Sequence, residues 1–181
     1  MPAQYQLSDN FILSVGINEP RKNLKGVVSA FKILKNKYSN TINKLKLVIV
    51  GKSGWADDIK EESDIAKLGY VSEEELPVLY SCALLFVYPS FYEGFGLPVL
   101  EAMSCGCPVI TSSRGSLKEV ADDSALIVEP MDDNEIAEKI YLLIRNNSLR
   151  GELIKKGLNQ ARKFTWEKTA AKIIKLYEGL M

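Results

Sequence analysis

The sequence predicts an α/β fold, with one doubly wound parallel sheet of about six strands and helices on both of its faces. Apolar runs alternate with amphipathic stretches along the chain, which is the order that successive strand–helix–strand units produce. Several runs are apolar at consecutive positions, as in "ALLFVYPS" at 83–90, and such runs are typical of parallel strands covered by helices. The 181 residues suffice for one domain with a substantial core, so we assign 1–181 to a single domain.

The first half of the chain supplies four of the predicted strands. These lie in the apolar runs "FILSVG" (Phe11–Gly16), "KLKLVIVGK" (44–52), "DIAKLGYV" (64–71) and "ALLFVYPS" (83–90). A helix is predicted over Asn23–Tyr38, because apolar side chains recur there at helical spacing: Leu24, Val27, Val28, Phe31 and Leu34. Another helix is predicted within "SEEELPVLYSC" (72–82), where Ser72 and Glu75 have the spacing of a capping box and Pro77 lies close to the first turn.

The second half continues the alternation and ends in helices. Two strands are predicted in "CPVITS" (107–112) and "ALIVEP" (125–130), with a short helix in "SLKEVAD" (116–122) between them. The following helix should begin at Asp132, whose side chain is a good cap, with Glu135 three residues later. Further helices are predicted over Ser148–Lys163 and Thr165–Leu180.

Charge and hydropathy exclude several classes of protein. The chain has 23 basic and 23 acidic side chains, so no general attraction to nucleic acid or to an anionic membrane is expected. No apolar run approaches the roughly 20 residues of a membrane span. The start, "MPAQYQLSDN", lacks the basic and apolar regions of a signal peptide, so we expect a cytoplasmic protein.

Cysteine and histidine usage limits the chemistry. Three cysteines, an odd number, favour a reducing compartment, and Cys105 and Cys107 are expected to serve as packing residues. The chain has no histidine, which excludes Ser–His and Cys–His nucleophile pairs within it. No metal is expected at the paired aspartates, because none has a third ligand nearby in sequence: Asp57–Asp58, Asp122–Asp123 and Asp132–Asp133. Any reaction must therefore use carboxylates, backbone amides, lysine and arginine, or groups supplied from elsewhere.

Three loops that follow predicted strands carry glycine or charge. They are "GINEPRKN" (16–23), "GKSGW" (51–55) and "SFYEGFGLP" (90–98). Ligands of doubly wound sheets bind outside the carboxyl ends of the strands, so these loops are expected to surround one site.

The third loop is the most informative. Gly94 and Gly96 can adopt positive φ and admit a ligand close to the backbone, and Pro98 indicates that a helix begins near Leu97. The free amides of that helix start suit a phosphate or a sugar hydroxyl. Glu101, one turn into the helix, can accept both hydrogens of a ribose diol, and Glu93 can accept hydroxyl hydrogens of a second sugar. The loop therefore predicts a sugar-nucleotide site, although a solvated strand-to-helix turn would also use such residues.

The other two loops contribute candidate cations for a diphosphate. Arg21 and Lys22 follow the first strand, and in an extended loop their side chains diverge, so that only one points into the crevice. Lys52 after the second strand is a weaker candidate. Solvated surface cations are the alternative in both loops. The sequence lacks the Gly-x-Gly-x-x-Gly fingerprint of dinucleotide folds and a complete Gly-Lys-Ser/Thr phosphate loop.

Four segments together resemble the C-terminal, donor-binding, Rossmann-like domain of a family-4 retaining glycosyltransferase with the GT-B fold. The most specific feature is a glutamate followed eight residues later by a second one, with "GFGLP" between them. The resembling segments are "FILSVGINEPRKNLKGVVSAFKIL", "LVIVGK", the stretch from Leu68 to Asp132, and "FTWEKTAAKIIKLYEGL".

The resemblance implies a role for each candidate residue. Glu93 would contact the transferred sugar, and the amides around Gly94, Phe95, Gly96 and Leu97 would meet sugar and phosphate. Glu101 would hold the ribose, and Lys22 the diphosphate. The base would lie against the backbone of three residues: Gly69, Tyr70 and Val71. No metal or other cofactor is implied. Many members have an arginine directly after Gly16, where this chain has Ile17, so Arg21 is expected to substitute for it.

The resemblance also implies partners. GT-B enzymes place the site between two such domains, so we expect an N-terminal domain of the same enzyme to bind a glycan or lipid-linked acceptor. Any peripheral contact with the inner membrane face would be made through that half. The implied donor is a UDP- or GDP-hexose, for example GDP-mannose. A noncatalytic nucleotide-binding or protein-interaction module and a GT-B epimerase or phosphorylase remain alternatives.

Overall fold

The computed structural model describes residues 10–56 and 59–180 and contains the predicted parallel sheet. Its strands are β1 (Phe11–Val15), β2 (Lys46–Val50), β3 (Ile65–Gly69), β4 (Leu85–Tyr88), β5 (Val109–Ser112) and β6 (Ala125–Val128). The strand order is β3-β2-β1-β4-β5-β6, and every neighbouring pair is parallel. The doubly wound Rossmann-like fold is thus confirmed. The chain reverses direction across the sheet between β1 and β4, which is where such folds bind ligands.

Helices lie between and after the strands, at the predicted places. They are α1 (Leu24–Ile42), α2 (Leu76–Cys82), α3 (Leu97–Ser104), α4 (Leu117–Ala121), α5 (Asp133–Arg145), α6 (Asn147–Ala161) and α7 (Trp166–Glu178). A 3₁₀ turn (Pro20–Lys22) precedes α1. The predicted end of α1 at Tyr38 was too early: the backbone leaves helical geometry there, at φ −126° and ψ 26°, but resumes the helix up to Ile42.

Two predicted helix starts can be compared with the structure. The Asp132 carboxylate accepts a hydrogen bond from the Glu135 amide at 2.9 Å, so the predicted cap of α5 is confirmed. The Ser72 hydroxyl similarly accepts from the Glu75 amide at 3.3 Å. Regular helix nevertheless begins only at Leu76, with Pro77 in its first turn. The Ser72–Glu75 contact therefore closes a turn that leads into α2.

The core consists of two apolar layers, one on each face of the sheet. Helices α1 and α5 cover one face with side chains that include Phe31 and Ile136. The other face packs against α2, α3 and α4 through side chains that include Leu79, Val99 and Leu117. Consecutive residues of β4 face opposite layers and are all buried, which explains the continuously apolar run in the sequence.

The paired aspartates and the start of the chain were considered for a metal site and a signal peptide. Asp57–Asp58 and the start of the chain at 1–9 lie outside the described residues. Asp123 forms an ion pair with Lys156 at 2.9 Å. Within residues 10–56 and 59–180, no three potential ligands cluster in a way that would hold a metal ion. In the same ranges, every helix is too short or too polar to cross a membrane.

Candidate functional site

The candidate site lies where the carboxyl ends of β1 and β4 meet. The 3₁₀ turn follows β1, and the 89–96 loop connects β4 to α3. The Arg21 carbonyl joins the two segments, because it accepts from the Phe91 amide at 2.8 Å and lies 2.7 Å from the Ser90 hydroxyl. The first and third predicted loops therefore form one structure. The second loop lies alongside, where the Asn18 amide donates to the Lys52 carbonyl at 3.2 Å.

The carboxylate of Glu93 is the centre of this structure, and only 7% of the residue is exposed. Its Oε1 atom lies 2.7 Å from Lys22 Nζ, 2.8 Å from the Tyr88 hydroxyl and 2.8 Å from the Ser90 hydroxyl. Its Oε2 atom accepts from Arg21 Nη1 at 2.9 Å. We call these five residues the Glu93 cluster. Burial by itself raises the pKa of Glu93, but hydrogen bonds from Lys22, Tyr88 and Ser90 outweigh burial and hold the pKa below its usual value.

The expectation that Arg21 and Lys22 diverge was wrong. Pro20 starts a tight 3₁₀ turn in place of an extended loop, and the two side chains contact different oxygens of the same carboxylate. The Lys22 side chain is 11% exposed and that of Arg21 is 45% exposed. Arg21 also forms a 2.8 Å ion pair with Glu19. Lys22 is thus the interior cation and Arg21 the outer one.

Gly16 lies next to the Lys22 stem. A Cβ atom on Gly16 would lie 3.5 Å from Lys22 Cδ, at ordinary contact distance. The predicted site residue Gly16 therefore borders the cation that follows it. Ile17, at the position where many members of the resembling family have an arginine, is 46% exposed.

Helix α3 begins at Leu97, as predicted. Gly96 is its N-cap residue, with φ 96° and no side chain to cover the first amides, and Pro98 lies in the first turn. Gly94 is not among the residues with positive φ, so only Gly96 of the two uses the left-handed region. Phe95 and Leu97 on either side of it are 44% and 49% exposed. The start of α3 thus presents the Leu97 amide next to the Glu93 cluster, whereas Pro98 has no amide hydrogen and the Val99 amide donates to the Gly96 carbonyl at 3.0 Å.

The second predicted carboxylate, Glu101, is held by a hydrogen bond outside the Glu93 cluster. Its Oε2 atom accepts from the Tyr80 hydroxyl at 3.1 Å, and Tyr80 is 1% exposed. Burial, and secondarily the charge of Glu101, raise the pKa of Tyr80 well above its usual value, so this phenol remains a donor. Glu101 itself is on the exposed side of α3, one turn after the helix begins.

The predicted base-binding residues lie further along the same edge. Gly69 ends β3 with φ 65°, Val71 is buried, and Tyr70 is 69% exposed. Lys52 Nζ lies over the Tyr70 ring, 5.3 Å from its centre. Lys52 thus belongs with the ends of β2 and β3, whereas Lys22 belongs to the Glu93 cluster.

Sequence reasoning missed Tyr80, Tyr88 and Ser90, which support the two carboxylates. Tyr88 ends an apolar strand and Tyr80 lies within an apolar helix segment, so both read as core residues. The sequence feature that could have indicated them is "YPS", in which the Tyr88 phenol and the Ser90 hydroxyl stand two residues apart, directly before the loop with Glu93.

A separate cavity of about 350 Å³ lies next to the 3₁₀ turn. Its lining includes Glu19, Pro20, Trp55 and Phe91, but not Lys22, Glu93 or Glu101. The cavity therefore neighbours the candidate site without containing its charged centre.

Comparison with protein families gives a match over most of the chain. A model of the family described as "Glycosyl transferases group 1" matches residues 3–160. O-antigen chain mannosyltransferase B of Escherichia coli is 41% identical over 186 residues, which cover 98% of this chain and 48% of that protein. The chain thus spans about half the length of this relative.

Solved structures share the fold. HepE of Anabaena, in complex with UDP and glucose, has a TM-score of 0.83 over 97% of this chain and 50% of its own, at 20% identity. The C-terminal domain of a glycosyl transferase group 1 family protein from Francisella tularensis has a TM-score of 0.76 at 26% identity. That match covers 89% of this chain and 90% of the crystallised domain.

Proposed function

The chain belongs to the glycosyl transferases group 1 family, and from that premise we propose that it is the C-terminal, donor-binding domain of a retaining GT-B enzyme. The observation that carries the proposal is the convergence of Lys22, Arg21 and Glu93 beside the uncapped start of α3. Cations and free amides suit a diphosphate, and a buried carboxylate beside them suits sugar hydroxyls. The named activity of the Escherichia coli relative supports a hexose such as mannose as the transferred sugar and GDP-mannose as a donor to test first.

In this proposal each part of the donor has its own partner. The diphosphate binds Lys22 and the amides around Gly96 and Leu97, with Arg21 as an outer helper. The ribose diol binds Glu101, which Tyr80 holds from the core side. Hexose hydroxyls bind Glu93, and the base lies at Gly69–Val71. Transfer would then depend on stabilising the departing diphosphate by preorganised donors and cations, without a metal or other cofactor.

The acceptor is assigned to a second domain of the same enzyme. Two observations support this: the chain spans 48% of its Escherichia coli relative, and no residue of α7 is buried. The apolar side of α7 is exposed, with Trp166 at 78%, Ile174 at 57% and Tyr177 at 66%. We propose that the N-terminal domain covers this face and binds a glycan or lipid-linked acceptor at the cytoplasmic side of a membrane. This chain alone should then bind nucleotide but transfer no sugar.

Calorimetric titration of the chain with GDP, UDP and ADP tests the proposal, with Glu101→Gln as the diagnostic variant. The Francisella domain was crystallised alone, so the titration can be carried out on a chain of this length. We expect one of the three nucleotides to bind, and Glu101→Gln to weaken it by about 1.5–3 kcal/mol, because a ribose diol loses a charged acceptor.

Glu119→Gln is the matched control, because it makes the same change at an exposed position of the neighbouring helix α4. It should leave nucleotide affinity as it is in the wild type. Equal losses from Glu101→Gln and Glu119→Gln, or no binding of any nucleoside diphosphate, would contradict the proposed function.

A further inference from the structure

Tyr88 occupies a position in the Glu93 cluster that the proposed roles leave unexplained. It is the last residue of β4, is fully buried, and its ring lies against Phe86 with 5.6 Å between ring centres. Its hydroxyl donates to Glu93 Oε1 at 2.8 Å and accepts a hydrogen bond from Lys22 Nζ. One phenol therefore contacts both the cation and the carboxylate that the donor is proposed to need.

The direction of these hydrogen bonds is determined by the chemistry of the partners. The Lys22 ammonium can only donate and the Glu93 carboxylate can only accept. The phenol hydrogen must therefore point to Glu93, while an oxygen lone pair faces Lys22. Burial, reinforced by the hydrogen bond to Glu93, raises the pKa of Tyr88 above its usual value, so the phenol retains this hydrogen.

The ammonium lies 4.9 Å from the centre of the Tyr88 ring, on the side of the hydroxyl that it contacts. The Tyr88 hydroxyl thus links Lys22 to Glu93. In the described part of the chain, the Lys22 hydrogen bonds are to Tyr88 and Glu93, which leaves one ammonium hydrogen for a ligand oxygen. A ligand that attracts Lys22 would leave Glu93 still bound to Tyr88.

We propose that Tyr88 is a positioning residue, which fixes Lys22 and Glu93 relative to each other so that one donor molecule meets both. This rests on the proposed function, in which Lys22 meets the diphosphate and Glu93 the hexose. A donor whose phosphate and sugar are covalently joined needs these two groups at a fixed separation. Arg21, which is half-exposed and has a second partner in Glu19, lacks such a fixed support.

Tyr88→Phe tests this, because it keeps the buried ring and removes only the hydroxyl. Two quantities are measured on the chain: the pKa of the Glu93 carboxyl by ¹³C NMR titration, and calorimetric affinities for GDP and GDP-mannose. The other charged and polar groups that face Glu93 are Lys22, Arg21 and Ser90, with Glu19 beyond Arg21, and all are unchanged in this variant. We expect the Glu93 pKa to rise, because its charged form loses a donor, and affinity for GDP-mannose to fall by about tenfold or more.

Tyr80→Phe is the matched control. It also removes one buried hydroxyl from the same core layer, but that hydroxyl donates to Glu101. It should leave the Glu93 pKa unchanged. An unchanged Glu93 pKa in Tyr88→Phe, or a raised pKa with wild-type affinity for GDP-mannose, overturns the positioning role. Failure of the wild type to bind any of GDP, UDP or ADP would instead refute the proposed function, and the NMR titration would still decide whether Tyr88 holds Glu93.

Discussion

Lys22→Ala, made in an enzyme that contains this chain and its acceptor domain, is expected to lower kcat/KM by about 10²-fold or more. This corresponds to about 3 kcal/mol of transition-state stabilisation. The reason is that Lys22 is the buried cation of the Glu93 cluster, 2.7 Å from Glu93 Oε1, and lies at the β1–β4 junction, where a doubly wound sheet binds its ligand. A buried charge acts on a developing diphosphate charge with little screening by water.

Two further alanine variants, assayed at the same ionic strength, serve as comparisons. Lys52→Ala should cost under about 1 kcal/mol, since Lys52 is exposed and lies over Tyr70. Arg21→Ala should have an intermediate effect, because Arg21 reaches Glu93 but shares its guanidinium with Glu19. If Arg21→Ala were the most damaging of the three, the diphosphate would belong to the arginine and our assignment of Lys22 would be wrong.

Glu93→Gln is expected to impair transfer severely while leaving GDP affinity at least as high as in the wild type. Transfer should fall by about 10²-fold or more, because the amide removes the charged acceptor for the hexose and loosens Lys22. GDP carries no hexose, and the change frees Lys22 and Arg21 from their shared carboxylate. Steady-state kinetics of the complete enzyme and calorimetry with GDP measure the two effects separately.

Glu19→Gln provides the matched control, because Glu19 is also a poorly exposed carboxylate and, among the described residues, its ion pair is with Arg21. It should change both quantities by much less. Should Glu93→Gln weaken GDP binding as strongly as Glu101→Gln does, the division of ribose and hexose between the two glutamates would be refuted.

The predictable parts of the fold are those in which the type of each residue indicates whether it is buried. All four residues of β4 are buried, so the strand appears in the sequence as an unbroken apolar run. The start of α3 was also predictable, because Gly96 and Pro98 have local backbone preferences that do not depend on the rest of the chain.

The parts that were missed depend on contacts between distant segments. Tyr88 and Lys22 are 66 residues apart, and neither position alone indicates that a phenol at the end of β4 contacts a cation after β1. The convergence of Arg21 and Lys22 was missed because a short turn at Pro20 looks like an extended loop in sequence. The base-binding assignment at Gly69–Val71 remains a prediction from the resemblance, and the assignment of Lys52 to a phosphate remains a prediction from its position after β2.

A crystal structure of this chain bound to GDP-mannose tests the central claim most directly. We predict diphosphate oxygens within hydrogen-bond distance, about 2.7–3.2 Å, of Lys22 Nζ and of the amides around Gly96 and Leu97, with the ribose at Glu101 and the hexose at Glu93. A donor bound instead in the cavity lined by Trp55 and Phe91, with the Lys22–Glu93 ion pair still at 2.7 Å and free of ligand contacts, would contradict it.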